Sequence, residues 1–267
     1  MKVIEIYDRN SNILDNRKNI FKTLDKYMEK FPSSYRKCYD ENVRSLELFK
    51  VDRIGDGAQS GIYNPEDNTI AFGKCYALGH ELIHMATNDR EKSQFAFESK
   101  MAIENGMIEG MTEYHHMQAF DLKLPGAYSF EVFTVMMLED IPNLFESFFV
   151  PRENGILDIC SDKKNVYSLL WSLENYNQMS TDAVEASAAG NEVLIDRVET
   201  RRCIRHVMDS LIAIKLLQTS DKKELETWGD KFIDLIKSDL IGDITPAFYP
   251  QYKEYAEKMI KKRIRGR

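Results

Sequence analysis

The sequence contains no long apolar run. No stretch approaches the ~18 apolar residues of a membrane-spanning helix, and the most apolar stretch, residues 128–150, is interrupted by four acidic residues and a proline. The first nine residues meet charge within two positions and contain no sustained apolar segment, which is not the pattern of a secretory signal. We therefore expect no signal peptide and no membrane partner.

Cysteine is scarce, and the four cysteines share no C-x-x-C spacing: Cys38, Cys75, Cys160 and Cys203. This scatter excludes the usual thiolate zinc motifs and predicts free thiols in a reducing compartment, so we expect a cytoplasmic location. Glycine-rich phosphate-binding loops and the G-x-S-x-G turn of serine hydrolases are also absent, which argues against nucleotide binding and serine catalysis.

The sequence also has no excess of basic over acidic residues. The chain has 36 lysines and arginines against 43 aspartates and glutamates, a net charge of −7, so we expect no nucleic-acid partner. The one basic stretch, residues 258–267, fits the solvated C-terminal end of a helix. With 43% hydrophobic and 30% charged residues over 267 positions, the composition is that of a globular protein with one large or two small domains.

Hydrophobic spacing predicts an α+β fold that is predominantly helical. Helical spacing over residues 17–31 gives way to alternation over residues 45–54 and then to a hairpin whose second strand is residues 69–72. Beyond the hairpin we expect helices at 94–104, 107–120, 129–141, 165–176, 182–218, 222–239 and 250–264. A break at Leu124-Pro125-Gly126 divides the chain into a small α+β unit, residues 1–123, and a helical unit, residues 124–267, packed against it.

One segment predicts a chemistry: His80-Glu81-Leu82-Ile83-His84, an HExxH motif. Histidines four apart on a helix project from the same face and can bind one metal ion together. Glu81 then lies where its carboxylate can act as general base on a water molecule that the metal activates. The motif arises by chance in about one chain in a hundred of this size, so its surroundings must support it.

A second cluster, on the predicted helix 107–120, can complete the site. A catalytic zinc uses three protein ligands and one open position. Glu109 and Glu113 are four apart, so one can bind the metal while the other holds the free ring nitrogen of a ligand histidine. Glu113, His115 and His116 are alternative third ligands, although a polar helix face is the plainer interpretation of the two histidines. Gly110 is expected to permit close packing against the HExxH helix.

These motifs resemble those of the gluzincin metallopeptidases, the thermolysin and aminopeptidase group, over about residues 60–120. In that family HExxH is followed by a helix with Asn-Glu-Gly or Asn-Glu-Ala and an acidic residue four positions on. The resemblance implies a zincin-like unit with Zn²⁺ as cofactor, in which His80, His84 and Glu109 bind the metal, Glu81 is the general base and Glu113 orients a ligand histidine. Ile108 stands where the family has Asn. The long connection between His84 and Glu109 resembles that of the compact intracellular members of the family.

A peptidase of this kind also needs a hydrogen-bond donor for the oxyanion that develops on the scissile carbonyl. Tyr128, just after the Pro125-Gly126 break, is the candidate we favour, and Tyr114 and His206 are alternatives. For each of the three, a purely structural side chain is the plainer interpretation.

The sequence thus predicts a zinc-dependent metallopeptidase, a hydrolase whose peptide or protein substrate adds as a strand beside residues 69–72. Zinc binding is expected to weaken as the pH falls through about 6.5, because ligand imidazoles must be neutral. The main alternative is a regulatory or partner-binding protein that keeps the metallopeptidase fold with narrow or no proteolytic activity. Hydrolysis of a non-peptide amide is a third possibility, and the sequence does not determine the oligomeric state.

Overall fold

Helices and a small sheet make up the part of the chain that this computed structural model describes. The described residues are 12–52, 54, 60–95, 97–99, 101–152, 154–190, 197–238 and 249–266. The chain is 62% helical and has few strands, which confirms the predicted α+β fold with a predominance of helix.

The sheet has three short strands: β1 (Glu47–Lys50), β2 (Gly61–Asn64) and β3 (Thr69–Phe72). Their order is β1-β3-β2, with β1 parallel and β2 antiparallel to β3. The strand expected within residues 45–54 and the hairpin are both confirmed. The predicted substrate edge at residues 69–72 is wrong, because β1 and β2 occupy both sides of β3, so β2 is the edge of the sheet on the hairpin side.

The helices follow the hydrophobic spacing closely in most of the chain. Their bounds are α1 (Asn12–Met28), α2 (Lys37–Asn42), α3 (Cys75–Thr87), α4 (Asn105–Phe120), α5 (Ser129–Met136), α6 (Leu144–Ser147), α7 (Lys163–Ala188), α8 (Arg197–Gln218), α9 (Lys222–Lys237) and α10 (Tyr249–Ile260). A short 3-10 helix (Gly155–Asp158) precedes α7, and a π-helical turn (Lys261–Arg265) extends α10.

The predicted helix at 94–104 is wrong. This segment instead forms β5 (Gln94–Phe95), which pairs with β4 (Asn88–Asp89), and the described residues after it are not helical. Phe97 and Ala102 have φ of 60° and 50°, in the left-handed region that no α-helix can contain. A bridge from Ser99 to Asn154 holds the segment against the second half of the chain.

The single helix predicted at 182–218 is wrong as well. α7 ends at Ala188 and is followed by Gly190, which has φ of 74°. Glycine adopts this backbone conformation without steric cost, and the helix stops there. Helix resumes at Arg197, and residues 191–196 lie outside the described residues.

The buried apolar side chains form a cluster that spans both predicted units. Leu24 of α1, Leu82 of α3, Met111 of α4, Phe133 of α5 and Leu173 of α7 all belong to it and are fully buried. α4 lies among these elements and packs against α1, α3, α5 and α7. The division at residue 123 stays a prediction.

Two expectations from composition can be compared with the described residues. Cys38, Cys160 and Cys203 are buried free thiols, as predicted, whereas the side chain of Cys75 lies outside the described part of the chain. Within the described ranges, no helix combines the length and the apolar character needed to cross a membrane.

Candidate metal centre

The HExxH motif lies on α3, in the middle of the helix. Fully buried apolar residues, Leu78, Leu82 and Met85 among them, fix the inner side of α3 against the core. His80 and His84 therefore share another side of the helix, with their ring centroids 4.9 Å apart and their Nε2 atoms 3.1 Å apart. The predicted helical phase of the two histidines thus brings two potential ligand atoms to one point.

α4 supplies a third atom at the same point. Glu109 Oε2 lies 3.1 Å from His80 Nε2 and 3.3 Å from His84 Nε2. The connection from α3 to α4 runs through β4, β5 and the turns that replace the predicted helix. This irregular path lets α4 return against α3 in spite of the length of the connection.

The spacing of these three atoms fits a zinc ion. Zinc binds nitrogen and oxygen ligands at about 2.0–2.1 Å in tetrahedral geometry, which places the ligand atoms roughly 3.3–3.4 Å from one another. The three observed separations of 3.1, 3.1 and 3.3 Å are within about 0.3 Å of that requirement. Two imidazoles and one carboxylate are also a donor set that a catalytic zinc uses, so the residues present fit the group that the sequence implies.

The side chains around these ligands set the proton positions on the imidazole rings. His80 Nδ1 lies 2.9 Å from Glu113 Oε2, and His84 Nδ1 lies 3.4 Å from Thr112 Oγ1. Both partners can accept an Nδ1–H, which leaves each Nε2 facing the centre of the site. Burial lowers the pKa of His80, but hydrogen bonds to Glu109 and Glu113 outweigh this and raise it to about 10. In the metal-free protein a proton on His80 therefore competes for the position that a metal would take.

Glu113 has little capacity left to bind a metal. Oε2 accepts from the Nδ1 atoms of His80 and His116, at 2.9 and 3.2 Å. Oε1 accepts from the Tyr76 hydroxyl and, at 2.8 Å, from the backbone N–H of Gly126. Burial alone would raise the pKa of Glu113, but the hydrogen bonds from His116 and His80 lower it to about 2. A carboxylate that accepts four hydrogen bonds holds its neighbours in place, and the role of Glu113 behind a ligand histidine stays a prediction.

The two adjacent histidines of α4 have different surroundings. His116 is buried and its Nδ1 points to Glu113, so it belongs to the same hydrogen-bonded cluster as His80. His115 points to the other side of α4, where Tyr27 Oη lies 2.7 Å from its Nδ1 and Phe148 stacks on its ring at 5.4 Å. Burial lowers the pKa of His115 to about 3. It is a neutral residue of the aromatic core and does not face the ligand cluster.

Glu81 is buried beside the ligand cluster and is held by the edge strand. The backbone N–H of Tyr63 in β2 donates to its carboxylate. A Cβ at Gly61 would lie 2.8 Å from both Cγ and Oε1 of Glu81, so only glycine leaves room for this side chain. Burial raises the pKa of Glu81, while His84 and His80 act in the opposite direction. A carboxylate with a raised pKa has a higher proton affinity, as a general base requires.

Tyr128 lies on the open side of the ligand cluster. Its ring stacks on His80 with centroids 5.6 Å apart, and its hydroxyl donates to Glu109. Burial raises the pKa of Tyr128, and the charges of Glu109 and Glu81 raise it further, so the hydroxyl keeps its proton. Its φ of 57° is uncommon for a large side chain, and such strain is concentrated at functional sites.

The alternatives to Tyr128 lie elsewhere. Tyr114 packs on Phe145 with ring centroids 4.5 Å apart, and His206 is exposed on α8. Neither residue is among the described residues that line the cavity at the ligand cluster.

Several residues at this centre were not found by reasoning from the sequence. Tyr76 is one turn before His80 on α3, and this four-residue spacing was a usable signal for a shared face. Gly126, noted only as part of a break, donates from its backbone to Glu113. Gly110 does not pack against α3 as expected; a Cβ there would lie 2.7 Å from the Glu131 carbonyl oxygen of α5. The close approach of α4 to α3 is instead at Gly79, where a Cβ would lie 2.6 Å from His116 Nε2.

A cavity of about 830 Å³ opens over the ligand cluster. Edge strand β2, helix α3, the start of α5 and the second half of α7 contribute to its walls. Its lining includes His80, Glu81, Glu109, Tyr128 and Tyr176. This volume is in the range of small-molecule and peptide-side-chain pockets.

Comparison with protein-family profiles, curated proteins and solved structures found no match to this chain.

Proposed function

We propose that this chain is a zinc-dependent metallopeptidase of the gluzincin type, with a zincin-like unit formed by the sheet, α3 and α4. The observation that carries the proposal is the convergence of His80 Nε2, His84 Nε2 and Glu109 Oε2 beside a buried Glu81. A purely structural zinc uses four protein ligands and has no need of that glutamate. Glu113, with four donors around it, supports the gluzincin arrangement in which a carboxylate orients a ligand histidine.

The proposed chemistry is hydrolysis of a peptide bond by an activated water molecule. When bound, zinc supplies a Lewis acid that lowers the pKa of water and polarises the scissile carbonyl. Glu81 takes a proton from the attacking water and delivers it to the leaving amine. The Tyr128 hydroxyl donates a hydrogen bond to the carbonyl oxygen as negative charge develops on it.

The edge strand β2 offers a place for the substrate backbone. Gly73 N donates to Ser60 O at 2.9 Å, so the alternation of an antiparallel ladder turns the backbone groups of Gly61 and Tyr63 away from β3. The Tyr63 N–H already donates to Glu81, which leaves the N–H and carbonyl of Gly61 and the carbonyl of Tyr63 to face a substrate strand. A peptide lying along β2 can pair with this open edge and pass over the ligand cluster. The proposed groove therefore lies along β2, and no longer along residues 69–72.

The proposal is tested by zinc content and hydrolysis measured on the same samples. Wild-type protein loaded with zinc is incubated with internally quenched peptide libraries, and Glu81→Gln and Tyr128→Phe are compared with it. Both variants should bind one zinc per chain, because neither removes a ligand. Glu81→Gln should lower kcat/KM by about 10²–10⁴-fold through loss of the general base, and Tyr128→Phe by about 10²–10³-fold through loss of an oxyanion donor.

Two results would count against this function. If zinc-loaded wild-type protein cleaves no library, the regulatory alternative is favoured. If cleavage persists unchanged in Glu81→Gln, the activity does not come from this site. A metal other than zinc in the purified protein would alter the cofactor and leave the ligand set in place.

A further inference from the structure

One buried carboxyl in the cavity has no function in the proposed chemistry. Glu131 lies in the first turn of α5 and lines the cavity, yet the residue is only 2% exposed. Its backbone carbonyl lies against Gly110, the residue that follows Glu109. Glu131 is therefore held beside the ligand cluster by the packing of α5 on α4.

Glu131 lacks a partner of opposite charge among the residues that the structure describes. Its carboxyl receives a hydrogen bond from its own backbone N–H, and the charge that acts on it is the carboxylate of Glu109. Burial, followed by the repulsion of Glu109, raises its pKa to about 8. A buried carboxyl without a cation is costly unless it is protonated or a ligand supplies the charge.

The cavity as a whole has an excess of carboxylates. The glutamates among its described lining residues are Glu81, Glu98, Glu109, Glu131 and Glu185, against a single lysine, Lys74. A bound zinc ion would offset two of these charges, and Glu109 would be one of the residues that hold it. Glu98, Glu131 and Glu185 remain in the lining, and a cavity wall with an excess of acidic groups concentrates cationic ligands.

We propose that Glu131 is a specificity residue that binds a cationic group of the substrate, either the α-ammonium of a peptide's first residue or the side chain of a lysine or arginine. The substrate class in this inference rests on the proposed function. The cationic character of the bound group rests on the burial of Glu131 and on its lack of a cationic partner among the described residues. A cation beside the scissile bond would pair with Glu131 inside the cavity, where such a pair is little screened by salt.

Three small ligands separate the two sources of the cation without any need for hydrolysis. Leucinamide carries only the α-ammonium, Nα-acetyl-lysinamide only the side-chain ammonium, and Nα-acetyl-leucinamide neither. The binding of each ligand is measured by NMR or calorimetric titration, with the zinc-loaded Glu81→Gln variant and with the double variant Glu81→Gln/Glu131→Gln. We expect one of the two cationic ligands to bind at least tenfold more tightly than the neutral one, and this preference to disappear with Glu131→Gln.

A kinetic arm uses matched peptides that differ only in the cationic group. Glu131→Gln should lower kcat/KM at least tenfold for the cationic peptide and less than threefold for its neutral counterpart. Glu146→Gln is the matched control, because Glu146 is exposed on α6, is not among the residues that line the cavity, and undergoes the same glutamate-to-glutamine substitution.

The outcomes separate this inference from the proposed function. Equal losses for cationic and neutral ligands would assign Glu131 a structural role and overturn the inference, as would a wild-type protein without any preference. If the binding preference is present but no peptide is hydrolysed, the inference stands and the peptidase proposal fails. If peptides are hydrolysed without any preference for a cationic group, the peptidase proposal stands and the inference fails.

Discussion

The assignment of Glu109 as metal ligand and Glu113 as orienting carboxylate predicts different losses when each becomes alanine. Apparent zinc-binding free energies of four-ligand sites are about 10–16 kcal/mol, or roughly 2.5–4 kcal/mol per ligand, so Glu109→Ala should weaken zinc binding by about 10²–10³-fold. Removal of a residue that orients a ligand typically costs about 10–100-fold, which is the loss expected for Glu113→Ala.

The expected losses of zinc affinity for the two variants meet at about 100-fold. The stability of the metal-free protein therefore distinguishes Glu109→Ala from Glu113→Ala more sharply. Glu113→Ala leaves the Nδ1–H groups of His80 and His116 buried without an acceptor. At roughly 1–3 kcal/mol for each unsatisfied buried group, the free energy of unfolding should fall by about 2–6 kcal/mol. Tyr76 and Gly126 are exposed, so water can replace their partner at little cost.

Glu109→Ala should leave the metal-free fold nearly intact. The facing Nε2 atoms of His80 and His84 can lose their protons, and the cavity above them admits water. We expect the free energy of unfolding to fall by less than about 2 kcal/mol. Zinc affinity is measured by competition with a chelating dye, stability by urea unfolding in a chelator, and Glu146→Ala serves as the control for removal of an exposed glutamate. Larger zinc loss in Glu113→Ala than in Glu109→Ala, with an unchanged metal-free stability, would refute the assignment.

Two further predictions concern pH and the edge strand. Because the pKa of His80 is raised, zinc must displace its proton, and zinc affinity should fall about tenfold per pH unit as the pH drops below about 10, well above the 6.5 expected from the sequence. Calorimetry in buffers of different ionisation enthalpy counts the released proton. A zinc affinity that does not change between pH 7 and 9 would contradict this prediction. Gly61→Ala should displace Glu81 and lower kcat/KM by about 10–100-fold at unchanged zinc content. Gly73→Ala is the control and should retain activity, because its Cβ would have no atom closer than 3.5 Å. Equal activity of the two variants would show that the position of Glu81 does not depend on β2.

Helical phase explains why much of the candidate centre could be predicted from the sequence. The four-residue spacings of His80 with His84 and of Glu109 with Glu113 depend only on the 3.6-residue period, which α3 and α4 both keep. Which carboxylate faces the histidines depends on how α4 rotates against α3. That rotation is set by contacts such as Gly79 on His116, which no local pattern reveals.

Two of the errors have a second cause, since both concern strand pairing that the local pattern does not show. The segment at 94–104 has apolar spacing compatible with a helix, but β5 pairs with β4 and Ser99 bridges to Asn154. Likewise, β3 could be interpreted as an edge strand only while its pairing with β1 was unknown. In both places the pairing of strands overrides the local propensity.

The position of α4 determines how variants of the centre must be interpreted. This helix carries Glu109 and Glu113, yet it is also packed against four other helices, and most of its residues are buried. A substitution that removes activity from α4 can therefore act through the fold, through zinc or through the reaction. Glu81 and Tyr128 lie outside α4 and are not proposed as ligands, so loss of hydrolysis in their variants, at full zinc content and full stability, would report on the reaction alone.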